Sequence, residues 1–113
     1  MTKYRTSSDR SDSENVVPER MPCPLYKLAQ CQPDAIAVCR DGSEYTFADF
    51  DALVQRYAAA LAERHLGAGQ HLAVAAANSV HYLALIVAAL RQRIVICPLN
   101  IRWPVATLRA AVQ

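Results

Sequence analysis

The segment Leu90 to Pro104, LRQRIVICPLNIRWP, constrains the fold more than any other stretch of this chain. It runs from a helix end into a short apolar strand, then through a turn into a second helix. Ile94, Val95 and Ile96 are β-branched, as a strand covered on both faces requires. Pro98 has no N–H to donate and stops such a strand, and Pro104 suits the first turn of the helix that follows. The pattern predicts a strand-to-helix connection in an α/β layer.

The run from Leu72 to Leu90 is apolar enough to raise the question of a membrane span. Asn78 and Ser79 interrupt it, and Asn-Ser is a better helix cap than a pair in mid-membrane. The run therefore divides into a strand, His71 to Ala76, and a helix, Ser79 to Arg91. Both fit a parallel sheet, whose strands read as continuous apolar runs when covered on both faces.

The rest of the chain extends this alternation. Pro24 to Gln32 predicts a short helix that ends before Pro33, because the residue preceding proline is pushed out of the helical region. Ala35 to Arg40 reads as a strand, Asp41-Gly42 as a two-residue hairpin turn, and Glu44 to Phe47 as its partner strand. Thr46 can cap the next helix, with Asp49 in a capping-box-like position. Phe50, Leu53, Val54, Tyr57, Ala58 and Leu61 then form one apolar face of a helix from Phe47 to Arg64. Leu66-Gly67-Ala68-Gly69 is expected to close that helix and turn the chain into the strand at His71. A last helix starts at Val105. Strands alternating with helices imply the α/β class, with a parallel sheet, flanking helices and an N-terminal hairpin.

Two domains of behaviour are expected within 113 residues. Residues 1–21 mix serines with both charge signs and almost no large apolar groups, the composition of a disordered tail. Residues 22–113 carry the folded part. The acidic residues of the tail and its lack of an apolar run argue against a leader, so the expected location is cytoplasmic. A net charge of +2 is too small to imply nucleic acid as a partner. Cys23, Cys31, Cys39 and Cys97 form no CxxC pair and have no histidine at zinc spacing, so no metal site is expected. Cys97 reads as a small buried hydrophobe.

Three segments in order resemble the adenylate-forming enzymes, the acyl-CoA synthetases, peptide-synthetase adenylation domains and luciferases. The first is PDAIAVCRDGSEYTFADFDALVQRYAAALAERHLGAG, similar to the opening of these enzymes, with Tyr45 to Phe50 in the place of their first core motif. The second is HLAVAAANSVHYLALIVAALRQR, and the third is ICPLNIRWP, which resembles their second core motif. The resemblance covers about four-fifths of the chain, from Pro22 to the C-terminus. Within the family it is closest in pattern to the o-succinylbenzoate–CoA ligases of menaquinone synthesis, with other acyl- and aryl-CoA ligases as near rivals. Many relatives have Gly-Ala where this chain has Arg93-Ile94, a departure from the peptide-synthetase branch in particular.

The resemblance implies a parent enzyme that activates a carboxylate with Mg-ATP and then passes the acyl group to CoA. Small-molecule carboxylate, ATP, Mg and CoA are thus the implied partners of the whole enzyme. Family members are several times longer, so the chain reads as an N-terminal fragment that ends before the ATP phosphate loop and the catalytic lysine. It is expected to bind no cofactor by itself and to be inactive alone. A non-catalytic binding or interaction module is the alternative from a different class.

No catalytic residue is assigned. Gly67-Ala68-Gly69 lacks the third glycine and the preceding strand of a dinucleotide fingerprint. Ser79 and His81 diverge on a helix, as do Asp49 and Asp51, which excludes a triad or a carboxylate dyad built on them. His65, His71 and His81 receive no role. Arg102 is the one candidate binding residue. The resemblance places it at the mouth of the CoA tunnel, where a guanidinium could grip the nucleotide phosphates of CoA in bidentate fashion. Read from the residues alone, the favoured account of Arg102 is an exposed turn residue or the partner of a nearby carboxylate. Asn100 is expected to pin the turn through its side chain, and Trp103 to serve packing.

Overall fold

A computed structural model describes residues 23–113, and the tail predicted over residues 1–21 lies outside the described residues. The elements follow the order α1 (Pro24–Cys31), β1 (Ile36–Arg40), β2 (Ser43–Thr46), α2 (Phe47–Glu63), β3 (His71–Val74), α3 (Val80–Arg91), β4 (Val95–Pro98) and α4 (Val105–Ala111). β1 and β2 form an antiparallel hairpin, and β3 pairs with β4 in parallel across the α3 crossover. The α/β architecture with an N-terminal hairpin and a parallel pair is the one expected.

Helix α2 is the hub. Helix α1, the hairpin and α3 all pack against it. Its apolar face buries Phe50, Leu53, Val54 and Leu61, and α3 meets it with Val80, Ala84, Ala88 and Ala89. The three alanines are fully buried, and their small side chains let the two helix backbones approach closely. Both helices start where a hydroxyl can accept a first-turn amide. Thr46 Oγ1 accepts from the Asp49 N–H at 3.1 Å, and Ser79 Oγ from the Tyr82 N–H at 3.0 Å. The reciprocal half of the capping box, a bond from the Thr46 N–H to the Asp49 carboxylate, is not formed, and Asp49 is exposed at the helix start.

The hairpin turn is Asp41-Gly42, with φ of 51° and 80°. Two consecutive left-handed residues match the right-handed twist of the flanking strands.

Helix ends depart from expectation in a consistent way. The residue that turns left-handed after α2 is His65 (φ 59°), not a glycine. Its N–H donates to Ala62 O at 2.9 Å, and the Leu66 N–H closes back on Leu61 O at 3.1 Å. The same pattern ends α3 at Arg93 (φ 58°), with Ile94 N–H donating to Ala89 O at 2.9 Å. These are Schellman closures with side-chain-bearing residues in the position glycine favours. Gly67 instead donates its N–H to Gln70 Oε1 at 2.7 Å, and Gly69 (φ 82°) donates to Arg93 O at 3.0 Å.

The parallel pair is shorter than its apolar runs suggest. The Ile94 amide is engaged in closing α3, so the ladder begins with the Val95 N–H donating to Gln70 O at 2.8 Å. It ends at Val74 opposite Pro98, where no further strand partner remains for Ala75 and Ala76. Leu72, Val74, Ile96 and Cys97 are only half-buried, and Ala73 and Val95 are exposed. The expectation of strands covered on both faces, and of a buried Cys97, is therefore corrected. Among the described residues, helices cover one face of this pair and nothing covers the other. No described helix is long and apolar enough to cross a membrane.

Candidate functional site

The Leu99–Trp103 turn joins β4 to α4 and is built by its own residues. The Leu99 N–H donates to Val74 O at 2.7 Å and anchors the start of the turn to β3. Asn100 Oδ1 then accepts the Arg102 N–H at 2.9 Å, while Asn100 O accepts the Trp103 N–H at 3.1 Å. This is the side-chain-to-backbone closure expected of Asn100. Pro104 precedes the first residue of α4, and its carbonyl accepts from the Leu108 N–H at 3.1 Å.

Arg102 is exposed on this turn and makes no ion pair among the described residues. The alternative of a nearby carboxylate partner is not realised there. Trp103 keeps 43% of its surface exposed and has the rest covered.

The described residues do not fit the phosphates of ATP. Each of the three glycines serves a local turn, and no glycine-rich loop approaches the Arg102 turn. Among the described residues no group of three or more histidine, cysteine, aspartate or glutamate side chains converges on a metal position.

Two pairings were not anticipated from sequence. Asp51 is buried on α2, ion-paired to Arg91 of α3, and also accepts from Gln55 Nε2 at 2.7 Å. Arg91 Nε reaches Cys23 Sγ at 3.1 Å, so one guanidinium ties the start of α1 to α2 and α3. Burial opposes ionisation of the Cys23 thiol, yet the first-turn amide of Tyr26 and the Arg91 charge together lower its pKa. The Leu25 amide adds a smaller effect, and Cys23 forms no side-chain cap hydrogen bond, so both amides act as nearby dipoles. Asp51 lies in phase with Val54 on the apolar face of α2, and that helical phase was the available signal of burial. The second pairing gives His81 a partner, since its Nδ1 lies 2.9 Å from the Tyr57 hydroxyl.

The sequence pattern of the AMP-binding enzyme family matches residues 25–113, from α1 through α4. The chain belongs to the AMP-binding enzyme family. Solved structures of AMP-binding enzymes share its fold. The unliganded o-succinylbenzoate coenzyme A synthetase (MenE) of Bacillus subtilis superposes with a TM-score of 0.74 at 23% identity, over 81% of this chain and 20% of that one. A Rhodopseudomonas palustris protein assigned as a long-chain-fatty-acid CoA ligase gives 0.71 at 24% identity, over 78% and 22%. The N-terminal subdomain of Klebsiella oxytoca NpsA gives 0.69 at 20% identity, over 78% and 23%. The chain thus spans about a fifth of the length of these structures. No curated protein matches it.

Proposed function

We propose that this chain is the N-terminal layer of an AMP-forming carboxylate–CoA ligase, and that Arg102 contacts the nucleotide phosphates of CoA. The observation that carries the reading is the β4–turn–α4 unit, inside the family match, which holds Arg102 outward with no ion pair among the described residues. The whole enzyme would convert a carboxylate and CoA to a thioester in an ATP- and Mg-dependent reaction in the cytoplasm. ATP and Mg would be held by residues outside this chain. o-Succinylbenzoate is the proposed acid, supported by the sequence resemblance and by the MenE fold likeness. A long-chain fatty acid is the second acid class, favoured by a comparable likeness to the R. palustris protein.

The test joins this chain to the remaining four-fifths of the B. subtilis synthetase and compares Arg102 variants. Arg102→Ala should remove a charge-assisted contact of about 1.5–3 kcal/mol. The KM for CoA should then rise roughly ten- to a hundredfold, since ~1.4 kcal/mol is a tenfold change. Carboxylate-dependent ATP–pyrophosphate exchange, which needs no CoA, should stay unchanged, and the unjoined chain should show none. Arg102→Lys should recover part of the loss, because it keeps the charge without the planar fork. Loss of exchange and thioester formation together would make Arg102 a folding residue and end the CoA assignment.

A further inference from the structure

We propose that the groove between α2 and α3 lined by Arg56, Tyr57 and His81 binds a small organic carboxylate. The groove has a volume of about 230 Å³, with Leu53 and Ala60 supplying its apolar part. That is below the ~300–1,000 Å³ of sites for drug-sized ligands and suits a single ring or short chain.

The polar side chains lining the groove are one guanidinium, one phenol and one imidazole, with no carboxylate among them. Arg56 makes no ion pair among the described residues, and its helical neighbours three and four positions away are Ala52, Leu53, Ala59 and Ala60. Its guanidinium is therefore uncommitted to any carboxylate on its own helix. The Tyr57 hydroxyl lies 2.9 Å from His81 Nδ1, and in the tautomer that leaves Nδ1 without a proton the hydroxyl donates to it. In that tautomer Nε2 carries the ring proton and offers the groove a second donor beside Arg56. The two rings meet edge to face, with centroids 6.0 Å apart and planes at 71°, which fixes the imidazole orientation. His81 is the second residue of α3, whose first turn contains no acidic side chain to neutralise the helix dipole. No acidic residue lines the groove.

A ligand that satisfies this inventory brings acceptor oxygens and an apolar body. A carboxylate presents two oxygens in the plane that a guanidinium fork matches. Its ring or chain covers Leu53 and Ala60, which inorganic phosphate could not do. The site lies on the helices, apart from the Arg102 turn, and does not depend on the proposed ligase activity.

Equilibrium dialysis of radiolabelled benzoate against the full chain tests this, and reads binding in any state of association. Saturable binding with a millimolar Kd is expected, with benzamide and inorganic phosphate failing to compete. Arg56→Gln, at an exposed position, should weaken benzoate binding at least fivefold with unchanged circular dichroism. Tyr57→Phe, which keeps the ring and frees the imidazole tautomer, should weaken it by a smaller factor. Absence of saturable binding, unchanged affinity in Arg56→Gln, or equal competition by benzamide would each overturn the proposal. Competition by phosphate as strong as that by unlabelled benzoate would show a site for charge alone and overturn the carboxylate assignment.

Discussion

Arg93 and His65 hold left-handed backbone, a conformation that costs a residue with a Cβ about 1–2 kcal/mol. Glycine removes the clash but gains freedom in the unfolded chain, which offsets part of the benefit. Arg93→Gly and His65→Gly should each raise stability by about 1 kcal/mol, visible as higher urea midpoints with unchanged slope. Equal or lower midpoints would mean that the side chains contribute contacts outweighing the backbone strain. Sequence reading located the turn after α2 at Gly67 because glycine marks a turn without saying which neighbour takes the left-handed position. Cys23 adds a pH effect. Its folded pKa is lowered, so its stabilisation is complete above the ordinary thiol pKa and is lost as pH falls through the folded value. Wild-type stability relative to Cys23→Ala should therefore rise with pH through the thiol range. A flat difference across that range would refute the Arg91 and first-turn contribution.

At the scale of elements, the Asp51–Arg91 pair decides how α2 and α3 register. Asp51 and Arg91 expose only 8% and 17% of their side chains, so screening by water is slight. Removing one partner of a buried pair leaves the other charge unsatisfied and costs about 3–5 kcal/mol. Asp51→Ala should reach that range in chemical denaturation, whereas Asp51→Leu combined with Arg91→Met should cost far less. A double variant as damaged as the single one would show that packing, rather than charge, dominates the site. Helix starts were legible because hydroxyl caps and apolar periodicity are local signals. The ion pair was not, since it joins positions 51 and 91, and an aspartate on a helix ordinarily faces water. Arg102 and Asn100 lay within one local turn, and that part of the site was readable for the same reason.

Across the molecule, the parallel pair and α4 have no partner on their outer side among the described residues. Ile101, Trp103, Val105 and Val95 are exposed by 50%, 43%, 63% and 44%, an apolar strip at one end of the fold. A two-stranded sheet with open edges and a seven-residue helix without support is marginal in water. The chain is expected to self-associate and to bind hydrophobic dyes. Sedimentation showing a monomer, together with one sharp melting transition, would contradict this. Open edges and exposed strand faces were hard to foresee, because an apolar strand reads the same whether or not its second face is covered.

Each rung of the β3–β4 ladder joins residues 24 positions apart, from His71 with Val95 to Val74 with Pro98. Such a ladder cannot form before the intervening chain has closed on itself, and the closure entropy precedes any bond it rewards. Helix α3 shortens that path, since it spans most of the interval as a rod that already has α2 to lie against. The crossover therefore favours an order in which the helix pair forms first and the strand pairing follows. A chain emerging from the ribosome must expose Val95 to Pro98 before β3 can acquire its neighbour.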